Sequence, residues 1–454
     1  MIMKMKNLKR LSAIGFALAF SVHAETKIDR APLQIGTNLD LGQIVAGRNG
    51  YRDKDTVLSF QMIERIGVML TQSTTINDRL TVKIGVGGMF YYSAPEDKTQ
   101  AASRATQFGP GVGQAQGIYK LGDLETPWTF QFGLFPYKYN ADAKNLGEYL
   151  MRSGTYPGYL VTGGWNIINS ANYMASGLRI NKELWDKKIN FDLNVFMERD
   201  IEPLYDLSPS FHLNIKPADV FELGGGVVFA HLLPAKKSKV SPADDFFRIK
   251  DDTLARTKDD TLATVSDTTG LTYFTFQGIK LDLHAAINLG AVLDNEWIGK
   301  NNLKLYGEVA LLGVKDYPFF YENKFARMPM MLGFNWPTFK IFDVLATEVE
   351  YRKWEFANDI YQVLDNAKPF WNVPGNNPST YNKNIGAGKN WTKQTNIKWT
   401  VYAKRKLMNG INVYAQVASD HMRSIRPVEV TPERIPLTRT PTQWYYLIRL
   451  EMGL

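Results

Sequence analysis

Lys280, Asp282 and His284 stand at alternate positions of one short run, Ile279-Lys280-Leu281-Asp282-Leu283-His284-Ala285-Ala286-Ile287-Asn288-Leu289. An amine, a carboxylate and an imidazole so closely spaced could exchange protons or orient a polar substrate. Three more histidines, His212, His231 and His421, could complete an Asp-His or Ser-His arrangement in three dimensions, although no local signature marks one. The chain has no cysteine, which excludes thiolate nucleophiles and thiolate metal centres. Gly224, Gly225 and Gly226 have no helix after them and do not form a phosphate loop. In a strand they give room for a neighbour or a bend.

The element that carries Lys280, Asp282 and His284 decides between chemistry and wall lining. Apolar residues fill the odd positions of the run, and all but one of the even positions are polar. That period of two describes a β-strand with two unlike faces. The pattern recurs sixteen times, near 32–43, 57–71, 79–92, 112–122, 128–137, 174–182, 188–197, 207–215, 219–231, 270–289, 303–314, 327–336, 343–354, 396–406, 410–418 and 443–453. Short connections rich in turn formers alternate with long ones, of which 93–111, 138–173, 232–269, 355–395 and 419–442 are the largest.

Residues 1–24 have the three parts of a secretory leader. Four positive charges come first, then the apolar run LSAIGFALAF, then Val22 and Ala24 in the small-residue positions before a cut. The expected mature chain is 25–454, with no cysteine at its start for a lipid anchor. Removing Lys4, Lys6, Lys9 and Arg10, and no acid, lowers the formal net charge from +8 to +4. So modest a charge argues against a nucleic-acid partner. No later stretch reaches the ~18 apolar residues that a spanning helix needs. A transmembrane barrel needs none, because only alternate residues meet lipid. Aromatics make up 13% of the chain, enough for girdles at both interfaces, and Trp128, Trp336 and Trp444 lie at strand ends.

An all-β, closed antiparallel barrel of about 16 strands follows, with 14 or 18 as alternatives, short turns periplasmic and long loops extracellular. Closure removes the open edges that lipid forbids. The competing arrangement is a soluble exported β-sandwich.

In this pattern the chain resembles the porin-like barrels of the Gram-negative outer membrane, over its whole mature length. Such chains usually end in Phe, as part of the signal read by the barrel-assembly machinery; this one ends in Leu454, with Tyr446, Ile448, Leu450 and Met452 keeping the rest of the pattern. The block 144–160 resembles one seen in uncharacterised outer-membrane proteins. The resemblance implies outer-membrane lipid and the assembly machinery as partners, with a homo-oligomer as an allowed state. It also implies passive diffusion of small hydrophilic solutes, sugars being one candidate class. No cofactor or metal is implied. A hydrophobic-compound transporter is one alternative, although the first strand starts too soon after the cut to leave chain for a plug. An outer-membrane enzyme or structural surface protein is the other.

Strand parity places Lys83, Lys120, Arg179, Asp192, Lys280, Asp282, His284, Lys304, Glu308, Glu348, Glu350, Arg352, Lys398, Arg449 and Glu451 on the pore lining. Arg65, Lys404, Asp40 and Glu222 complete ten bases against eight acids. In a wide, water-filled lumen these charges need no special pairing, and their near balance implies weak ion selectivity. The long connection 138–173 carries Lys138, Asp142, Lys144, Glu148 and Arg152 and is a candidate constriction if it folds inward. The tract 251–267, which repeats DDTLA, offers oxygen ligands for calcium or a solvated loop. The tract 370–391 has the aromatic and amide content of a sugar contact or of an ordered extracellular loop. The sequon Asn390-Trp391-Thr392 carries little meaning in a bacterial exported protein.

Overall fold

A computed structural model describes residues 27–49, 56–92, 107–140, 142, 173–197, 205–235, 246–248, 254–256, 272–273, 278–293, 295, 297–311, 314, 328–351, 364–365, 368–369, 397–419 and 441–453. Sixteen staves form one closed antiparallel ring. They are β1 (Gln34–Asn49), β2 (Thr56–Ile76), β3 (Leu80–Tyr92), β4 (Gln107–Leu121), β5 (Trp128–Tyr137), β6 (Tyr173–Leu184), β7 (Ile189–Met197) and β8 (Leu207–Ala218). The other eight are β9 (Phe221–Ala230), β10 (Gly278–Asn288), β11 (Lys304–Leu311), β12 (Met330–Asn335), β13 (Val344–Tyr351), β14 (Ile397–Met408), β15 (Ile411–Ala418) and β16 (Trp444–Gly453). Every stave pairs with the next in sequence, and β16 pairs back onto β1 from Gly36↔Gly453 to Ala46↔Trp444. The short strand Ile28–Arg30 extends β1 along the end of β2.

Each of the sixteen alternating segments has its stave. The tenth begins at Gly278 rather than near 270. Thr272–Tyr273 pairs instead with Phe246–Arg248, in a small sheet that also holds Leu254–Arg256. Alternation marks a strand but does not choose its partner. The expected leader 1–24 lies outside the described residues.

The two faces sort as parity requires. On β10, Ile279, Leu281, Leu283 and Ile287 are exposed on the outside, whereas Asp282, His284, Ala286 and Asn288 are buried within. The outer surface carries exposed Leu, Ile, Val and Phe side chains from stave to stave. Trp128, Trp185, Trp297 and Trp336 are exposed at the short-turn end. Lys182 sits 5.7 Å from the Trp128 ring and Lys340 5.1 Å from that of Trp297, each an ammonium held over an indole. Trp444 lies at the opposite end and is half-buried.

The turns explain the hairpins. Asn77 and Asp78 both take positive φ, 50° and 56°, and Arg79 N–H donates to the Ile76 carbonyl at 3.1 Å. That is a type I′ turn, whose twist matches the flanking strands and which asparagine and aspartate tolerate.

Candidate functional site

The interior is built by the even or odd set of each stave, so its chemistry follows from register. Asp40 on β1 faces Arg449 on β16, and the guanidinium donates from Nε to Oδ1 at 2.5 Å and from Nη2 to Oδ2 at 2.7 Å. Arg179 on β6 donates from Nε to Asp192 Oδ1 on β7 at 2.7 Å and from Nη2 to Oδ2 at 3.1 Å, and Asn181 Nδ2 donates to the same carboxylate at 2.8 Å. Tyr306 on β11 donates to Glu348 on β13 at 2.8 Å, and Tyr414 on β15 donates to Glu451 on β16 at 2.7 Å.

The segment that leaves β5 turns inward. Tyr139 Oη donates to Glu308 Oε2 at 3.1 Å and Asn140 Nδ2 to the same oxygen at 2.6 Å. Lys304 Nζ donates to Asp142 Oδ1 at 2.5 Å and lies 3.8 Å from Glu222 Oε2. The Tyr139 ring stacks on His212, centroids 5.9 Å apart at 30°, and meets His284 edge-on at 6.0 Å. A segment from the long-loop end of β5 is thus pinned to β8, β10 and β11, three to six staves round the ring.

Two glycines make this crossing possible. A Cβ on Gly226 would lie 2.3 Å from His212 Nδ1, and one on Gly224 would lie 2.3 Å from His284 Cε1. His284 thus lays its ring over Gly224 and His212 brings Nδ1 over Gly226, where any side chain would displace them. His212 Nδ1 stands 3.3 Å from Asp282 Oδ2. The glycine run is thus a space-maker, as strand context requires. Gly333 serves the same end for Tyr306, whose ring covers the spot where a Cβ would be.

The expectation of freely solvated lumen charges fails over half of the wall. From β10 to β16, Asp282, His284, Lys304, Glu308, Glu348, Glu350, Lys398 and Arg449 are buried, with Lys398 1% and Glu348 0% exposed. Desolvated charges are costly unless paired and hydrogen-bonded. Arg449, Lys304, Glu308 and Glu348 meet that demand with the partners above, and tyrosines that parity turns inward, Tyr306, Tyr402, Tyr414 and Tyr445, pack among them. By contrast, Lys83 on β3, Lys120 on β4 and Arg179 on β6 are only half-buried. Lys280 on β10, Lys404 on β14 and Glu451 on β16 share that partial exposure, so accessible inner charges stand on both arcs of the wall.

Charge is sorted between walls. Glu222, Asp282, Glu308, Glu348 and Glu350 lie on β9–β13 with Lys280 and Lys304. Lys398, Lys404, Arg449, Lys83, Lys120 and Arg179 lie on the remaining arc with Glu451, Asp40 and Asp192. The near balance expected from the total hides this separation. Lys138 and Asp142 are both placed, Lys138 half-buried at the start of the inward segment. Arg352, Lys144, Glu148 and Arg152 lie outside the described residues, as does the side chain of Arg65.

Sequence reasoning passed over Gln114, Gln116 and Gln131, which share the inner face of β4 and β5 with Lys120. Parity alone places them on that face, although no charge marks them. His231 and Asp206 come together at the long-loop rim, Nδ1 to Oδ2 3.3 Å. Ser208 Oγ accepts the backbone N–H of His231 at 2.9 Å, and Asp206 accepts that of Ala235 at 2.9 Å. The trio clasps the chain entering β8 to the chain leaving β9. His421 lies outside the described residues. No group of three or more potential metal ligands occurs among the described residues.

No family model matches the chain. No curated protein matches it either. Solved structures that do match include two sets of substitutions in the Rhodopseudomonas blastica porin. They are 8% and 9% identical, with TM-scores of 0.41 and 0.39, and each match covers 94% of this chain and 100% of the other. Salmonella typhi OmpF in complex with daunomycin matches at 10% identity and a TM-score of 0.45, covering 94% of this chain and 98% of that one. With its ring of sixteen staves, apolar outside and charged within, the chain is a closed antiparallel β-barrel.

Proposed function

We propose that the chain is an outer-membrane channel of a Gram-negative bacterium through which small hydrophilic solutes diffuse passively. One observation carries the reading: the closed ring turns apolar side chains outward and charged, amide and hydroxyl side chains inward, the reverse of a soluble domain. Lipid requires such closure, and a ring of this strand number encloses an aqueous path. Along β3–β6, Lys83, Gln114, Lys120, Gln131 and Arg179 keep part of their surface free and would line the path. Export would follow cleavage after Ala24, and insertion would use the barrel-assembly machinery.

The inward segment narrows the lumen in this reading. Tyr139, Asn140 and Asp142 supply its anchors, and Lys138, Lys144, Glu148 and Arg152 would set the local charge of the constriction. A confined section with low-dielectric walls concentrates the field of each charge. Opposed acidic and basic walls would orient dipolar solutes as they pass.

Liposomes loaded with an impermeant polymer and containing the purified protein should swell in isotonic solutions of small sugars and amino acids, and the rate should fall steeply with solute size. Swelling no faster than that of protein-free liposomes would end the reading.

A further inference from the structure

Four amide and guanidinium groups on the inner face of β4–β6 form one continuous hydrogen-bonded chain. Arg179 Nη1 donates to Gln131 Oε1 at 3.4 Å, Gln131 Nε2 to Gln116 Oε1 at 2.6 Å, Gln116 Nε2 to Gln114 Oε1 at 2.9 Å, and Gln114 Nε2 to Thr71 Oγ1 at 3.3 Å. The chain crosses β6, β5, β4 and β2. Its direction is fixed by chemistry: a guanidinium can only donate, so Gln131 must turn its oxygen to Arg179 and its NH₂ to the next residue. Each later amide inherits the same orientation, which removes the usual ambiguity between amide oxygen and nitrogen.

This direction has a consequence for the lumen. All three amide oxygens are engaged within the chain, whereas each NH₂ group spends one hydrogen and keeps one. Hydrogen bonds in series polarise one another, and this series starts at a cation. The spare N–H groups of Gln114 and Gln131, which are half-buried, are therefore strengthened donors. Lys83 stands opposite Gln116 in the β3–β4 register, and Lys120 opposite Thr129 in the β4–β5 register, both half-buried on the same inner face. The acid at this end of the wall, Asp192, is held in a bidentate pair by Arg179 and capped by Asn181.

We infer that this wall is a binding track for solutes bearing oxyanions, the carboxylates and phosphates of small organic acids and phosphate esters. The inference rests on the channel reading above and names the class of solute that the channel favours. A solute oxygen moving along β4 and β5 meets donors polarised by Arg179 with lysines beside them. A neutral polyol meets the same donors without the attraction of the cations. Oxygens of charged groups form the stronger hydrogen bonds.

The test is block of single-channel current in potassium chloride by citrate and by inorganic phosphate, with mannitol as the neutral control. The decisive variant is Gln131→Leu, which keeps size and every charge but cuts the chain beside Arg179. Gln116→Leu cuts it one step further on, and heat-shifted electrophoretic mobility checks that each variant is assembled. Citrate and phosphate should both reduce the wild-type current at concentrations where mannitol does not. Half-block should need about tenfold more citrate in either variant, the loss expected for one hydrogen bond to a charged group. Equal block of wild type and variants, or block by mannitol equal to that by citrate, would overturn the inference while leaving the channel intact. Block by citrate without phosphate would restrict the track to carboxylates, and block by phosphate alone would restrict it to phosphate groups. A wild-type protein without current would overturn the channel reading and this inference with it.

Discussion

Arg449 grips Asp40 through two parallel N–H···O bonds of 2.5 and 2.7 Å, one residue on the last stave and the other on the first. Both side chains are almost wholly buried, 3% and 1% exposed. The pair thus sits across the seam that closes the ring, between residues 409 positions apart in sequence.

Removing one partner should therefore harm closure more than removing both. Asp40→Ala removes the bidentate partner of a buried guanidinium and should cost about 3–5 kcal/mol, whereas Asp40→Leu combined with Arg449→Met should recover most of that loss. The temperature at which the folded electrophoretic band is lost reports the effect. Equal losses for the single and double variants would mean that the pair does not act as a unit.

Facing on β10 makes a second contrast. Leu283→Arg puts a charge on the lipid side and should cost about 2–4 kcal/mol near the midplane. Asp282→Asn on the inner side keeps shape and removes a buried charge beside His212, so its cost should be clearly smaller. Denaturant unfolding in lipid vesicles measures both, and similar costs would reverse the assigned faces.

The glycine pair of β9 has a packing role that a single methyl group should reveal. In Gly226→Ala the new Cβ meets His212 Nδ1 at 2.3 Å and the Phe211 carbonyl oxygen at 2.5 Å. Overpacking of this kind costs about 1–3 kcal/mol. Displacement of His212 should also unseat Tyr139 and change the current amplitude. A variant with unaltered stability and unaltered current would disconnect β9 from the inward segment.

Anchoring of that segment can be tested on the other side. Lys304→Met removes the donor to Asp142, and Glu308→Gln weakens the acceptor shared by Tyr139 and Asn140. Both should raise open-channel noise and conductance, the double variant most. Steady currents of wild-type size in both would place residues 139–142 away from the permeation path.

Much of this was legible in the sequence because a strand repeats every two residues. The inward face of β10, the pairing of short turns with long loops and the stave count all follow from that period. The tilt of total charge was legible too, but its division between walls was not, because parity says which face a residue takes and not which residues surround it. The contacts of Tyr139, Asn140 and Asp142 span 162 to 169 positions and leave no local pattern. The histidines over Gly224 and Gly226 needed the register of three staves at once. A solvated lumen was a fair expectation for a wide ring. It failed on β10–β16 because tyrosines and the inward segment occupy space that strand counting leaves blank.

The central claim is that an aqueous path runs through this ring. Purified protein added to a planar lipid bilayer in potassium chloride should produce discrete, equal current steps whose size scales with salt concentration. A reversal potential in a salt gradient should shift when Lys83 and Lys120 are both changed to Glu. Intact, correctly assembled barrels that insert into the bilayer and pass no current at any salt concentration would contradict the account.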